Sequence, residues 1–161
     1  MLVARVMRTV ESSGAQTLVN GVVAGAPTHM KFALLEPDLA ELDRVLETCA
    51  LSGHVCFAAS NDEAFRSLLA EVSVDVCLID WINPDCCRYE TLYQLAQSES
   101  AVPVVLCVAP GTSHDVIDSG LKHGASTSIE KPFRGIESLG SLYAWESQGF
   151  AHAYVPSNRM M

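Results

Sequence analysis

Short apolar runs alternate with amphipathic stripes through the middle of this chain. The first run, Phe32–Leu35, is closed by Glu36-Pro37-Asp38. A proline keeps the preceding residue out of helical geometry, so Glu36 stays extended at a strand end. Asp38 with Glu41 matches a capping box ahead of the stripe Leu39, Leu42, Val45, Leu46 and Cys49, which Gly53 ends. His54–Ala58 predicts a second strand. Ser60 with Glu63 repeats the capping pattern before Ala64, Phe65, Leu68 and Leu69.

The stretch that organises the rest is Val74–Asp85, VDVCLIDWINPD. Its β-branched and apolar residues through Ile79 end abruptly in a carboxylate, Asp80, and a turn at Asn83-Pro84-Asp85 follows. A continuous apolar run bounded by turn signals fits a strand buried on both faces of a parallel sheet. Tyr89, Leu92, Tyr93, Leu95 and Ala96 then predict a helix. Val102–Val108 is a fourth strand, with Pro103 tolerable near its start. Ser113–His123 reads as a helix ended by Gly124, and Ala125–Ile129 as a fifth strand closed by Glu130-Lys131-Pro132-Phe133. Ile136, Leu139, Leu142 and Tyr143 predict a last helix.

Strands alternating with helices at this spacing mean βαβ units and a parallel sheet, an α/β fold. Residues 1–29 show no sustained period and read as a flexible N-terminal extension. The patterned domain runs over 30–145, and 146–161 reads as a C-terminal tail. Met30 leads directly into the first strand and is the expected natural start. Arg5 and Arg8 precede an apolar stretch at Leu18–Ala26, but Asn20, Gly21 and Gly25 break it, so it is not read as a signal peptide.

Composition narrows the function classes. At 161 residues, 49% hydrophobic and 18% charged, the chain is one domain able to bury a real core. A net charge of −9 without a Lys/Arg cluster argues against nucleic-acid binding by this chain. No run approaches the ~20 apolar residues of a membrane-spanning helix. Cys56, Cys77 and Cys107 lie in strand-like runs and Cys49 on a helical stripe, as buried free cysteines do. Cys86 and Cys87 are adjacent in a loop. With no CxxC pair and no zinc spacing, the expectation is a reduced, cytoplasmic protein.

Three charged residues fall at equivalent places: Glu36 after the first strand, Asp80 after the third, Lys131 after the fifth. In a doubly wound sheet of order 2-1-3-4-5 these ends meet at the switch point, where ligands bind. Two carboxylates there can hold a hard cation such as Mg²⁺. A nearby Lys can neutralise a phosphoryl oxygen. Ser113-His114-Asp115 is not a catalytic triad, because consecutive helical residues point in different directions.

From Lys31 to Tyr143 the chain resembles the CheY-like receiver domain of bacterial two-component response regulators. The resemblance rests on FALLEPD, VDVCLIDWINPD, VPVVLCVAP and GASTSIEKPF, in order and at family spacing. It implies a flavodoxin-like (βα)5 fold and a non-enzymatic signalling role in a phosphorelay. By the resemblance Asp80 is the phosphoacceptor, Lys131 the partner of the phosphoryl group, and Glu36 a member of the acidic pocket. The metal set would be Glu36, Asp80 and the main-chain carbonyl of Ile82, binding Mg²⁺. A cis Lys131-Pro132 bond is implied as well. The implied partners are a sensor histidine kinase or phosphotransfer protein, and the family also admits a homodimer through the face of the fourth and fifth helices.

The chain departs from the family at specific positions. Pro37 replaces the second acid, so the Mg²⁺ site is expected to be weakened; Asp38 is better explained as a helix cap. Val108 replaces the Ser/Thr at the end of the fourth strand and cannot bond a phosphoryl oxygen. Ser128 replaces the aromatic switch residue, and Arg88 stands where the family has glycine. The alternative reading is therefore an atypical receiver acting as a phosphorylation-independent interaction module. A flavin-binding protein on the same topology is a third reading, which the acidic EPDL loop opposes because it lacks phosphate-cradling Gly/Ser/Thr amides. Trp81 and Trp145 read as packing or surface aromatics, with Trp81 placed by the family at the rim of the site.

Overall fold

The computed structural model describes residues 5–6, 29–100 and 102–132. Its elements are β1 (Arg5–Val6), β2 (Lys31–Leu35), α1 (Leu39–Leu51), β3 (Val55–Ala59) and α2 (Asp62–Glu71). They continue with β4 (Val76–Asp80), α3 (Cys86–Gln97), β5 (Val104–Val108), α4 (His114–Lys122) and β6 (Thr127–Glu130). The sheet order is β1-β3-β2-β4-β5-β6. Its five parallel strands therefore follow the expected 2-1-3-4-5 order of a flavodoxin-like fold. β1 adds a sixth strand, antiparallel to β3 with Arg5 opposite Ala58, that the sequence pattern does not predict. Two residues are too few to print an alternation.

Local chemistry sets the element ends. Asp38 caps α1, its Oδ1 accepting from the amides of Ala40 at 2.9 Å and Glu41 at 3.1 Å. Asn61, rather than Ser60, caps α2 by accepting from Ala64 N at 2.8 Å. Both residues are competent caps, and the helix begins one residue later than the capping pattern predicts. Asp85 caps α3 through Arg88 N. Ser113 stands at the N-cap of α4 without a side-chain bond to it. The last helix, read over Ile136–Tyr143, lies outside the described residues.

Alternate strand residues feed two apolar layers, one on each sheet face. Phe32, Leu34, Leu78 and Val105 pack with Leu42, Val45, Leu46 and Cys49 of α1. Ala33, Leu35, Ile79, Leu106 and Val108 pack on the other face with Phe65 of α2, Leu92 of α3 and Val116 of α4. Each fully buried Leu, Ile or Phe side chain contributes roughly 1.5–3 kcal/mol. Cys49, Cys56, Cys77 and Cys107 are buried free thiols, as the sequence implied, whereas Cys86 and Cys87 are exposed. Burial pushes the Cys77 thiol up to about 12, which keeps it inert near neutral pH. Among the described residues no helix is long and apolar enough to cross a membrane.

Trp81 is fully buried, so it is not at the rim where the family pattern placed it. Its indole N–H donates to Val116 O of α4 at 3.1 Å, and its ring meets Tyr89 edge to face at 4.9 Å. Gly120 of α4 lies close beneath it: a Cβ there would lie 2.3 Å from Leu106 Cδ1 and 3.0 Å from Trp81 Cε2, so these side chains would have to shift.

His54 ties the start of β2 to the end of α1. Its Nδ1 accepts from Met30 N at 3.2 Å, and its ring packs edge to face on Phe32. Burial, then the charge of His29, lowers its pKa below the ordinary 6.5. The folded state thus binds fewer protons than the unfolded chain, and stability is lost as pH falls below that value. Protonation also removes the acceptor that Met30 N uses, a loss of about 1 kcal/mol. Urea unfolding between about pH 7.5 and 5 is expected to show this loss, and His54→Gln to flatten it.

Candidate functional site

Three strand ends bring the predicted residues together. Glu36 leaves β2 with its N–H bonded to Ala59 O at 3.0 Å, and Lys131 leaves β6 with its N–H bonded to Val108 O at 2.8 Å. Asp80 is the final residue of β4. The Lys131-Pro132 bond is cis, as the resemblance implied. The Lys131 ammonium donates to Asp80 Oδ1 at 2.5 Å and also to Glu36 Oε2. Glu36 Oε1 accepts from Asp38 N at 3.0 Å. Ile82, at the mouth, is 41% exposed. Together with Pro37, Asp38 and Glu41 these residues line an open cleft of about 370 Å³.

The electrostatics follow from burial and pairing. Burial raises the Glu36 pKa, and the bonds from Lys131 and Asp38 N offset that only in part. Burial works to lower the Lys131 pKa, but its bonds to Asp80 and Glu36 outweigh this and the net shift is upward. Lys131 therefore stays cationic through neutral pH and holds both carboxylates. What the arrangement can do is present one carboxylate nucleophile beside a fixed positive charge at the floor of a cleft.

Sequence reasoning missed one participant. Arg88 entered only as a replacement for glycine, yet its side chain is 10% exposed and reaches Asp80. Arg88 Nη1 donates to Asp80 Oδ2 at 3.2 Å and to the Asp80 main-chain oxygen. Its Nε donates to Asp62 Oδ1 at 2.8 Å and Oδ2 at 3.0 Å. The available signal was charge: an Arg in the first turn after an acidic site, with an Asp opening the preceding helix.

The residues present do not fit the Mg²⁺ site that the resemblance implied. Pro37 supplies no ligand, and the carboxylate oxygens of Glu36 and Asp80 already accept from Lys131, Asp38 N and Arg88. Glu41 Oε1 lines the cleft, buried and without a hydrogen-bond partner. Even so, among the described residues no three acidic, His or Cys side chains are grouped to hold a metal ion. Asp38 is engaged as the α1 cap, and Asp62 by Arg88.

The family's other two switch positions are also altered in space. Val108 is buried in an apolar layer, and Ser128, half-buried, lies opposite Leu106 in the sheet. His114 and Asp115 are exposed at the start of α4, where they form no triad.

Comparison with solved structures identifies the fold. CheY4 of Vibrio cholerae aligns with a TM-score of 0.64 at 18% identity, covering 73% of this chain and 98% of that one. The receiver domain of the Francisella response regulator 1452 aligns at 0.61 and 23% identity, covering 73% and 98%. Full-length FixJ of B. japonicum aligns at 0.64 and 19% identity, covering 74% of this chain and 58% of that longer one. The chain thus has the CheY-like receiver fold of response regulators. No family model and no curated protein matches the sequence.

Proposed function

We propose that this chain is a signalling receiver that accepts a phosphoryl group on Asp80 from a sensor histidine kinase or phosphotransfer protein. The observation that carries the reading is the Asp80 carboxylate at the floor of an open cleft, ion-paired to Lys131 at 2.5 Å. An ionised carboxylate can attack phosphorus in line while a Lys spreads the charge that develops on the phosphoryl oxygens. The protein would act in the cytoplasm and would catalyse nothing beyond its own phosphorylation and dephosphorylation. The receiver unit is proposed to span 30–145, with a homodimer as one available output.

A second reading has its own support. Val108 offers no hydroxyl and Ser128 no ring, so the usual readout of phosphorylation has no means of acting at these positions. On that reading the chain binds its partner whether or not Asp80 is modified. Intact mass after incubation with acetyl phosphate separates the two. The phosphoacceptor reading expects a gain of one phosphate in the wild type and none in Asp80→Asn. An unchanged wild-type mass, with partner capture from the native host equal with and without phosphodonor, would favour the interaction module.

A further inference from the structure

The mismatch between this site and a metal ion points to a cation the chain supplies itself. We infer that Arg88 takes the place of the divalent cation, holding Asp80 Oδ2 so that Oδ1 attacks phosphorus without metal. This inference rests on the proposed role of Asp80 as acceptor.

Charge carries the first part of the argument. The linked ion pairs join the carboxylates of Asp62, Asp80 and Glu36 to the two cations Lys131 and Arg88, a net of one negative charge. A divalent cation added to these five groups would leave them net positive, and every carboxylate oxygen of Asp62, Asp80 and Glu36 already accepts a hydrogen bond. Arg88 already supplies a permanent charge, since a guanidinium does not deprotonate in proteins.

Geometry carries the second part. Asp62 accepts from Arg88 Nε with both oxygens, which fixes the guanidinium plane. Nη1 then reaches both the side chain and the main chain of Asp80. Asp80 is thus held between two cations with different tasks. Lys131 lines the cleft and bonds Oδ1, the oxygen presented to a donor. Arg88 does not line the cleft and bonds Oδ2, on the side of Asp62. In the step itself, Asp80 Oδ1 forms the new bond to phosphorus as the donor's P–O bond breaks. The leaving group departs with the electron pair; from acetyl phosphate it is acetate, and no proton needs to move. Lys131 follows the charge onto a phosphoryl oxygen. Arg88 is a positioning residue that keeps the carboxylate oriented, the task a metal performs elsewhere.

The test is the rate of phosphate gain by intact mass, on the full chain with acetyl phosphate, in EDTA and in MgCl₂. The wild type is expected to label equally fast in both. The Asp62→Asn/Arg88→Met double variant, which leaves no unpaired Asp62 charge, is expected to label about a hundredfold more slowly in EDTA. With Arg88 gone, MgCl₂ is expected to recover part of that rate, a response that a merely structural residue would not give. Wild-type labelling only in MgCl₂ would overturn the inference while leaving Asp80 as acceptor. Labelling of the double variant in EDTA at the wild-type rate would overturn it too. No labelling of any protein in either buffer would remove the acceptor reading itself, and the inference with it. Should the double variant not fold, the wild-type comparison decides alone.

Discussion

Arg88→Ala is expected to destabilise the fold by about 3–5 kcal/mol, the cost of stranding buried charge. The substitution leaves Asp62, about nine-tenths buried, without the guanidinium that occupies both its oxygens. It also strips Asp80 Oδ2 and the Asp80 main-chain oxygen of their donor. Two acidic groups then remain in a poorly solvated pocket, with Lys131 already shared between Asp80 and Glu36. Equilibrium unfolding in urea measures the loss. The Asp62→Asn/Arg88→Met double variant is expected to be markedly more stable than Arg88→Ala, because replacing both members of a buried pair removes the unpaired charge. A double-mutant cycle on Asp62 and Arg88 should return a coupling energy within about 0.5–3 kcal/mol. Additive single substitutions would mean that the pair is no functional unit of the site.

Trp81→Ala is expected to cost a similar amount, about 3–5 kcal/mol, by a different mechanism. The residue follows Asp80 and is fully buried, with Tyr89 on its ring and Gly120 pressed close beneath it. Truncation opens a large cavity and unseats α4, whose Val116 carbonyl loses the indole N–H. Trp81→Phe separates the two contributions. It keeps much of the ring and removes only the hydrogen bond, so a loss near 1 kcal/mol is expected, plus the smaller volume. Thermal unfolding of the three proteins checks the order. Because Trp81 adjoins Asp80 and donates to α4, it also links Asp80 to that helix directly.

The parallel sheet was legible because its central strands are buried on both faces and so appear as unbroken apolar runs. The strand ends followed from punctuation: Pro37 after Glu36, the turn after Asp80, Pro132 after Lys131. These fixed which charged residues converge at the switch point. β1 was illegible, since a two-residue strand has no period. The cap of α2 was off by one because Ser60 and Asn61 offer the same chemistry side by side. Trp81 was ambiguous for a related reason: composition and position do not tell a buried aromatic from one at a rim. Arg88 was the largest omission. Its partners Asp62 and Asp80 lie 26 and 8 residues away on two other elements, α2 and β4, so no period within one helix or strand pairs them with it. The resemblance assigned Lys131 and the acids to the site but gave Arg88 no role there, which is why a weakened Mg²⁺ site was expected where the carboxylate oxygens are already occupied.

The most direct measurement is chemical location of the phosphoryl group. Borohydride reduces an aspartyl phosphate to homoserine while leaving free aspartates unchanged, and peptide mass spectrometry then reads the position. After incubation with acetyl phosphate and reduction, homoserine is expected at position 80, with Asp62, Asp75 and Asp85 intact. Homoserine at another aspartate, or at none, would contradict the assignment of Asp80 as the acceptor.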